Sequence, residues 1–187
     1  MIFRWIFRFF KALVGRGRST TSPAQIIFLR HAEKPPSGPE LSKRGQKRAQ
    51  ALVQLFTRDP RALEHGPAVA IFAMKPARNR GSVRAIQTME AVGRALNVPV
   101  HSRLTREEIA PLVRAIIDTP AYDRKTVVVC WEHKKIPEML AAFGWSGGPG
   151  KWRREVYDRL WVLDFTRGEP TQFRNLPQNL LPGDAPA

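Results

Sequence analysis

The chain has 187 residues, 43% of them hydrophobic, which suits one packed domain with tails. Its 31 Lys and Arg against 16 Asp and Glu give a net charge of +15, a balance that attracts anions such as phosphorylated compounds, acidic lipid or nucleic acid without choosing among them. A single cysteine, Cys130, excludes a disulfide framework and a cysteine-built zinc site within one chain, and the run Val127-Val128-Val129-Cys130 makes it a buried, inert thiol compatible with a reducing cytosol.

Residues 1–18 differ in style from the rest. Ile2, Phe3, Trp5, Ile6, Phe7, Phe9, Phe10, Leu13 and Val14 are apolar, while Arg4, Arg8 and Lys11 recur at helical spacing, and no acid precedes Glu33. The segment is too short and too charged to span a bilayer and lacks the form of a signal peptide. A basic amphipathic helix lying on an anionic membrane surface fits the pattern; a helix packed on its own domain or on a partner is the alternative. Residues 19–24 form a polar linker.

Ile26-Ile27-Phe28-Leu29 reads as a buried strand running into Arg30 and His31. Residues 35–40 form a proline-rich loop. Ser42 is the expected N-cap of a helix carrying Ala49, Leu52, Val53 and Phe56. A second buried strand spans 68–74, followed by a basic loop over 75–81 and a helix over about 82–96. A short strand over 98–101, a helix over 107–117 and the most apolar strand, 126–131, follow. That strand ends at Glu132-His133. A short helix over 137–143 is closed by Gly144, residues 147–150 form a glycine-rich loop, and 160–163 and 171–174 read as two more strands, the latter at an edge. The tail over 176–187 is expected to fray. Strands alternating with helices predict an α/β fold, a three-layer α/β/α sandwich with a mostly parallel central sheet, over residues 25–175.

Three pieces converge on one site. Ligands bind beyond the carboxyl ends of strands in open α/β sheets, so Arg30-His31 and Glu132-His133 would emerge at the same edge. Arg84 stands near a helix start, where backbone N–H groups favour anions. Two arginines and two histidines could then surround one phosphate.

These pieces resemble the histidine phosphatase superfamily, with its phosphoglycerate-mutase-like fold. The family's strand ending in Arg-His-Gly reads Leu29-Arg30-His31-Ala32 here, with alanine for glycine. Leu41-Ser42-Lys43-Arg44-Gly45-Gln46 resembles its Leu-Thr-x-x-Gly-x segment, Arg84-Ala85-Ile86-Gln87-Thr88 its Arg-Ala-x-Gln-Thr segment, and His133 its second histidine. The match covers about 25–165, and four motifs in the right order are far more specific than any one.

The resemblance implies a phosphatase acting without metal or cofactor: His31 as nucleophile forming a phosphohistidine, with Arg30, Arg84 and His133 holding the phosphoryl oxygens. The general acid is open. Glu107 is the first candidate, Glu108 the second, and Glu132 the third, although alternation along a strand would point Glu132 away from His133. With no acid at all, good leaving groups such as phosphohistidine or phosphoanhydrides would be favoured. Lys34 is a candidate substrate-binding residue, and Lys75, Arg78 and Arg80 could line the mouth. His65 and His101 lack motif context. The short 102–125 segment resembles the small, compact phosphatases rather than the mutases.

A phosphorylated small molecule or phosphoprotein is therefore the expected substrate, and cytoplasm, with peripheral attachment at the inner face of a membrane, the expected location. Two other readings stay open: a non-catalytic phosphate- or anion-binding module on the same fold, and a basic nucleic-acid-binding protein. The second lacks a recognisable motif or stacking platform, so no nucleic-acid partner is expected.

Overall fold

The computed structural model describes residues 21–77 and 81–184. The segment 1–18 and the basic residues Arg78 and Arg80 lie outside them. The elements are β1 (Gln25–Arg30), α1 (Lys43–Arg58), β2 (Ala68–Ala73), α2 (Arg84–Leu96), β3 (Val100–His101), α3 (Ile109–Ile117), β4 (Thr126–Trp131), α4 (Ile136–Ala142), β5 (Arg159–Thr166) and β6 (Glu169–Pro177). One sheet has the order β3-β2-β4-β1-β5-β6. β1 pairs parallel with β4, β4 with β2 and β2 with β3, while β5 and β6 run antiparallel. The helices cover the sheet in two pairs, α1 with α2 and α3 with α4. The result is the expected three-layer α/β/α sandwich.

The central strands explain their own composition. Every residue of β1 and of β4 is buried, so both read as continuous apolar runs rather than alternating ones. Cys130 is fully buried, and burial raises its thiol pKa. Ser42 caps α1, its hydroxyl accepting the Gly45 N–H at 3.1 Å. Gly45 itself is dictated by close approach: a Cβ there would stand 2.3 Å from the carbonyl oxygen of Glu33. Gly144 closes α4 with φ +93°, the left-handed conformation expected of a glycine after a helix.

Two regions depart from the sequence expectations. β6 is longer than 171–174, because Arg167 and Gly168 both take positive φ (53° and 84°) and make a two-residue hairpin turn whose twist lets β5 and β6 pair along their length. The second departure corrects the frayed tail: residues 176–184 are pinned. Arg48, 2% exposed on α1, requires acceptors for its buried guanidinium. It finds Glu33 at 2.8 Å, Asp184 at 2.6 Å and the side chain of Gln178 at 3.0 Å. Asp184 also accepts the N–H groups of Leu180 and Leu181. Burial would raise the Asp184 pKa, but the bonds from Arg48 and these amides outweigh it and hold it at about 2.

This clasp joins the loop after His31, helix α1 and the end of the chain. Replacing Arg48→Met would strip Asp184 and Glu33 of their buried partner, leaving them the exposed Arg44 and, for Asp184, two backbone N–H groups. The expected cost is about 3–5 kcal/mol of unfolding free energy, read by urea denaturation. A loss under about 1 kcal/mol would show that the clasp contributes little.

Candidate active site

The register of β1 on β4 places the site. Arg30 stands opposite Trp131, and the His31 N–H bonds the Trp131 carbonyl at 3.2 Å. The chain therefore leaves both strands side by side at their carboxyl ends, carrying His31 on one and Glu132-His133 on the other. On the far side of β4, the Met74 N–H bonds the Cys130 carbonyl at 3.1 Å, so the β2 end opens at the same edge and leads on to Arg84.

His31 is 4% exposed. Its Nδ1 lies 2.7 Å from the Ala32 carbonyl oxygen, which can only accept, so Nδ1 carries the proton and Nε2 keeps a free lone pair. Burial lowers the His31 pKa to about 4, with the charges of Arg30, Arg84 and His133 adding to the depression against the bond to Ala32. At neutral pH the imidazole is uncharged.

Arg30, 2% exposed, is held rigidly. Its Nη1 donates to the carbonyls of Arg154 and, at 3.0 Å, Val156, and its guanidinium lies 3.8 Å from the centre of the Tyr157 ring. Burial lowers the pKa of both Arg30 and Arg84. Arg84 opens α2 and donates through Nη1 to the Gly38 carbonyl at 2.9 Å. The rest of its motif is scaffolding. Thr88 accepts the Ala32 N–H at 2.9 Å and donates to the Arg84 carbonyl at 2.6 Å, while Gln87 accepts the Leu41 N–H at 2.9 Å. Among the described residues, Arg30 Nε, Arg84 Nε and His133 Nδ1 are buried without a hydrogen-bond partner. Such orphans are costly unless a ligand completes them.

The acids separate. Glu107 is exposed, paired to Lys135 at 2.5 Å, and the bond from Lys135 lowers its pKa, so it stays ionised at the rim instead of holding a proton to give. Glu108 binds the N–H and hydroxyl of Thr105, which lowers its pKa and makes it a local brace. Glu132 alone touches His133: Oε1 lies 3.0 Å from Nδ1, though not aligned for a hydrogen bond. β4 ends at Trp131, so strand alternation no longer governs Glu132. Lys34 and Lys75 are exposed, on the loops after β1 and β2. His101 and His65 are exposed away from these groups.

Tyr157 and Arg154 were not foreseen. Tyr157 stacks on Arg30 with its ring centre 6.2 Å from that of His31, and the Arg154 charge reaches His133. Both come from the loop before β5, where no motif marks them. A cavity of about 430 Å³ beside the site is lined in part by Glu33, Arg44, Tyr157 and Asp184. Among the described residues no cluster of three or more His, Cys, Asp or Glu could hold a metal ion.

Solved structures share this architecture. The protein histidine phosphatase SixA complexed with tungstate is 14% identical, with a TM-score of 0.59 over 82% of this chain and 97% of that one. A SixA from Agrobacterium tumefaciens, described as a candidate phosphohistidine phosphatase, is 19% identical, with a TM-score of 0.51 over 82% and 96%. A candidate alpha-ribazole-5'-P phosphatase from Escherichia coli is 12% identical, with a TM-score of 0.56 over 82% and 96%. No family model and no curated protein matches the sequence. The fold is the phosphoglycerate-mutase-like fold.

The electrostatics of His31 set a pH window. Its folded pKa of about 4 lies below the ordinary 6.5, so protons bind the unfolded chain more tightly, and the stability its neutral form contributes is full above 6.5 and lost as pH falls through 4. Nitrogen NMR should find the His31 ring in the Nδ1–H form at pH 7 and titrating near pH 4. Titration near 6.5 would contradict a buried, cation-flanked ring.

Proposed function

We propose that the chain is a phosphatase that hydrolyses a phosphomonoester or phosphoramidate through a phosphohistidine on His31. One observation carries this reading: an uncharged imidazole with a free Nε2 stands beside two buried guanidinium nitrogens without partners, Arg30 Nε and Arg84 Nε, with His133 a further neighbour. A tetrahedral oxyanion completes these groups, and the tungstate held by the similar SixA has that shape. In the first step the Nε2 lone pair attacks phosphorus as the bond to the leaving atom breaks. Arg30, Arg84 and His133 meet the charge on the three remaining oxygens in place before reaction. Water then attacks the phosphoryl group, and the P–N bond electrons return to Nε2. Cationic side chains supply the neutralising charge, so the reading needs neither metal nor cofactor. Hydrolysis of an aryl phosphate in EDTA should fall by about 10³-fold or more in His31→Ala, and labelled phosphate should be trapped on His31 of the wild type. Phosphate binding without turnover would instead favour an anion-binding module on the same fold.

The finer placement rests on residues 1–18. Their alternating aromatic and cationic pattern supports peripheral attachment to an anionic membrane at the cytoplasmic inner face, where the phosphorylated substrate would be met. The full chain should sediment with vesicles containing phosphatidylserine and be released by salt, while a chain lacking residues 1–18 should remain in solution. Equal binding of both chains would move the attachment to the basic domain surface.

A further inference from the structure

Glu132 has both carboxylate oxygens engaged and, among the described residues, one histidine beside it. Its Oε2 accepts the Lys134 N–H at 3.2 Å and lies 3.4 Å from Arg106 Nε. Arg106 is itself placed by the core, since its carbonyl accepts the Trp131 indole N–H at 3.1 Å. The remaining oxygen, Oε1, lies 3.0 Å from His133 Nδ1, a buried nitrogen with no other partner. Turning either group aligns the pair once the ring carries a proton. The other acids of this rim are committed elsewhere, Glu107 and Glu138 to Lys135 and Glu108 to Thr105.

We propose that Glu132 is a positioning residue that holds His133 as an imidazolium against the bound phosphoryl group, so that His133 gives the leaving group its proton. The inference rests on His31 being the nucleophile. In the first step the P–N bond to His31 forms, the bond to the leaving atom breaks with its electron pair going to that atom, and the proton of His133 follows it. In the second step the attacking water returns a proton to His133 as the P–N bond breaks, so that ester and water become alcohol and phosphate with the enzyme unchanged. The groups facing His133 are Glu132 and Lys134 on its own loop, Arg30 at the end of β1 and His31 just after it, and Arg154 from the loop before β5. Burial and the cations Arg30, Lys134 and Arg154 lower its pKa, and Glu132 opposes them. A bound phosphoryl dianion adds negative charge on the same side as Glu132.

The test compares wild type, Glu132→Gln and Glu132→Asp on 4-nitrophenyl phosphate and on an alkyl phosphate. In Glu132→Gln the alkaline limb of kcat should move about one pH unit lower. The alkyl ester should lose roughly tenfold or more at pH 7 and the nitrophenyl ester, whose leaving group needs no proton, under about twofold. Glu132→Asp should restore both. A uniform loss on the two substrates with an unmoved limb would overturn the role of Glu132, as would wild-type behaviour of Glu132→Gln. Trapping of phosphate on His31 is followed in parallel. If wild type labels His31 but the glutamine variant shows no leaving-group dependence, the role of Glu132 alone fails; if wild type turns over without labelling, the nucleophile reading fails and the inference with it.

Discussion

Parallel pairing of β1 with β4 at the centre of the sheet is the constraint on which the rest depends. Arg30 opposite Trp131 leaves no freedom in where the two chains emerge. A slip of one residue would turn Leu29 or Cys130 to the other face and separate the two histidines. Full burial of both strands holds the register, because a shift would carry the polar strand ends into places packed for apolar side chains and break the buried Gln25–Thr126 hydrogen bond. The site is thus a by-product of core packing: four hydrophobic positions on β1 and five on β4 decide where two polar ends meet.

Burial has a second consequence at those ends. Taking cations and an imidazole out of water is unfavourable, and the fold answers in two ways. Arg30 is compensated by two backbone carbonyls and an aromatic face, which occupy part of its donor fork and leave Nε for a ligand. His31 instead gives up its charge. The same low-dielectric surroundings therefore produce a rigid, partly unsatisfied cation beside a neutral base. The loop before β5 does the compensating, so a segment with no catalytic atom of its own determines how Arg30 points.

The layer behind the site is held by a different interaction. The Ser42-capped start of α1 lies against the backbone of Glu33, close enough that only glycine fits at position 45. Arg48 then reaches from the same helix to Glu33 and Asp184, tying the end of the chain to the loop that follows His31. Thr88 does the same from α2 through the Ala32 N–H. The residues between the motifs' charged positions are thus explained as contacts that keep the His31 loop from moving.

Local pattern carried most of this far. Apolar runs located the four parallel strands, helical spacing located the four helices, and Arg30, His31, Arg84 and His133 were legible because each ends a strand or opens a helix, where chain direction alone predicts a shared edge. The structure brings their charges together around His31. Three things were not legible. Tyr157 and Arg154 act through a loop whose path depends on long-range contacts, and no spacing rule reports such a path. The fate of the glutamates turned on partners distant in sequence: Lys135 for Glu107, and the end of β4 for Glu132. The tail looked frayed because its prolines and polar residues have no local structure of their own. Remote partners give them a place: the buried charge of Arg48, 136 positions away from Asp184, and Arg44 and Arg61, which donate to the Pro182 and Pro177 carbonyls. Periodicity and strand direction are properties of neighbouring residues and survive in the sequence; ion pairs between remote segments are decided by which surfaces the finished fold brings within a few ångströms.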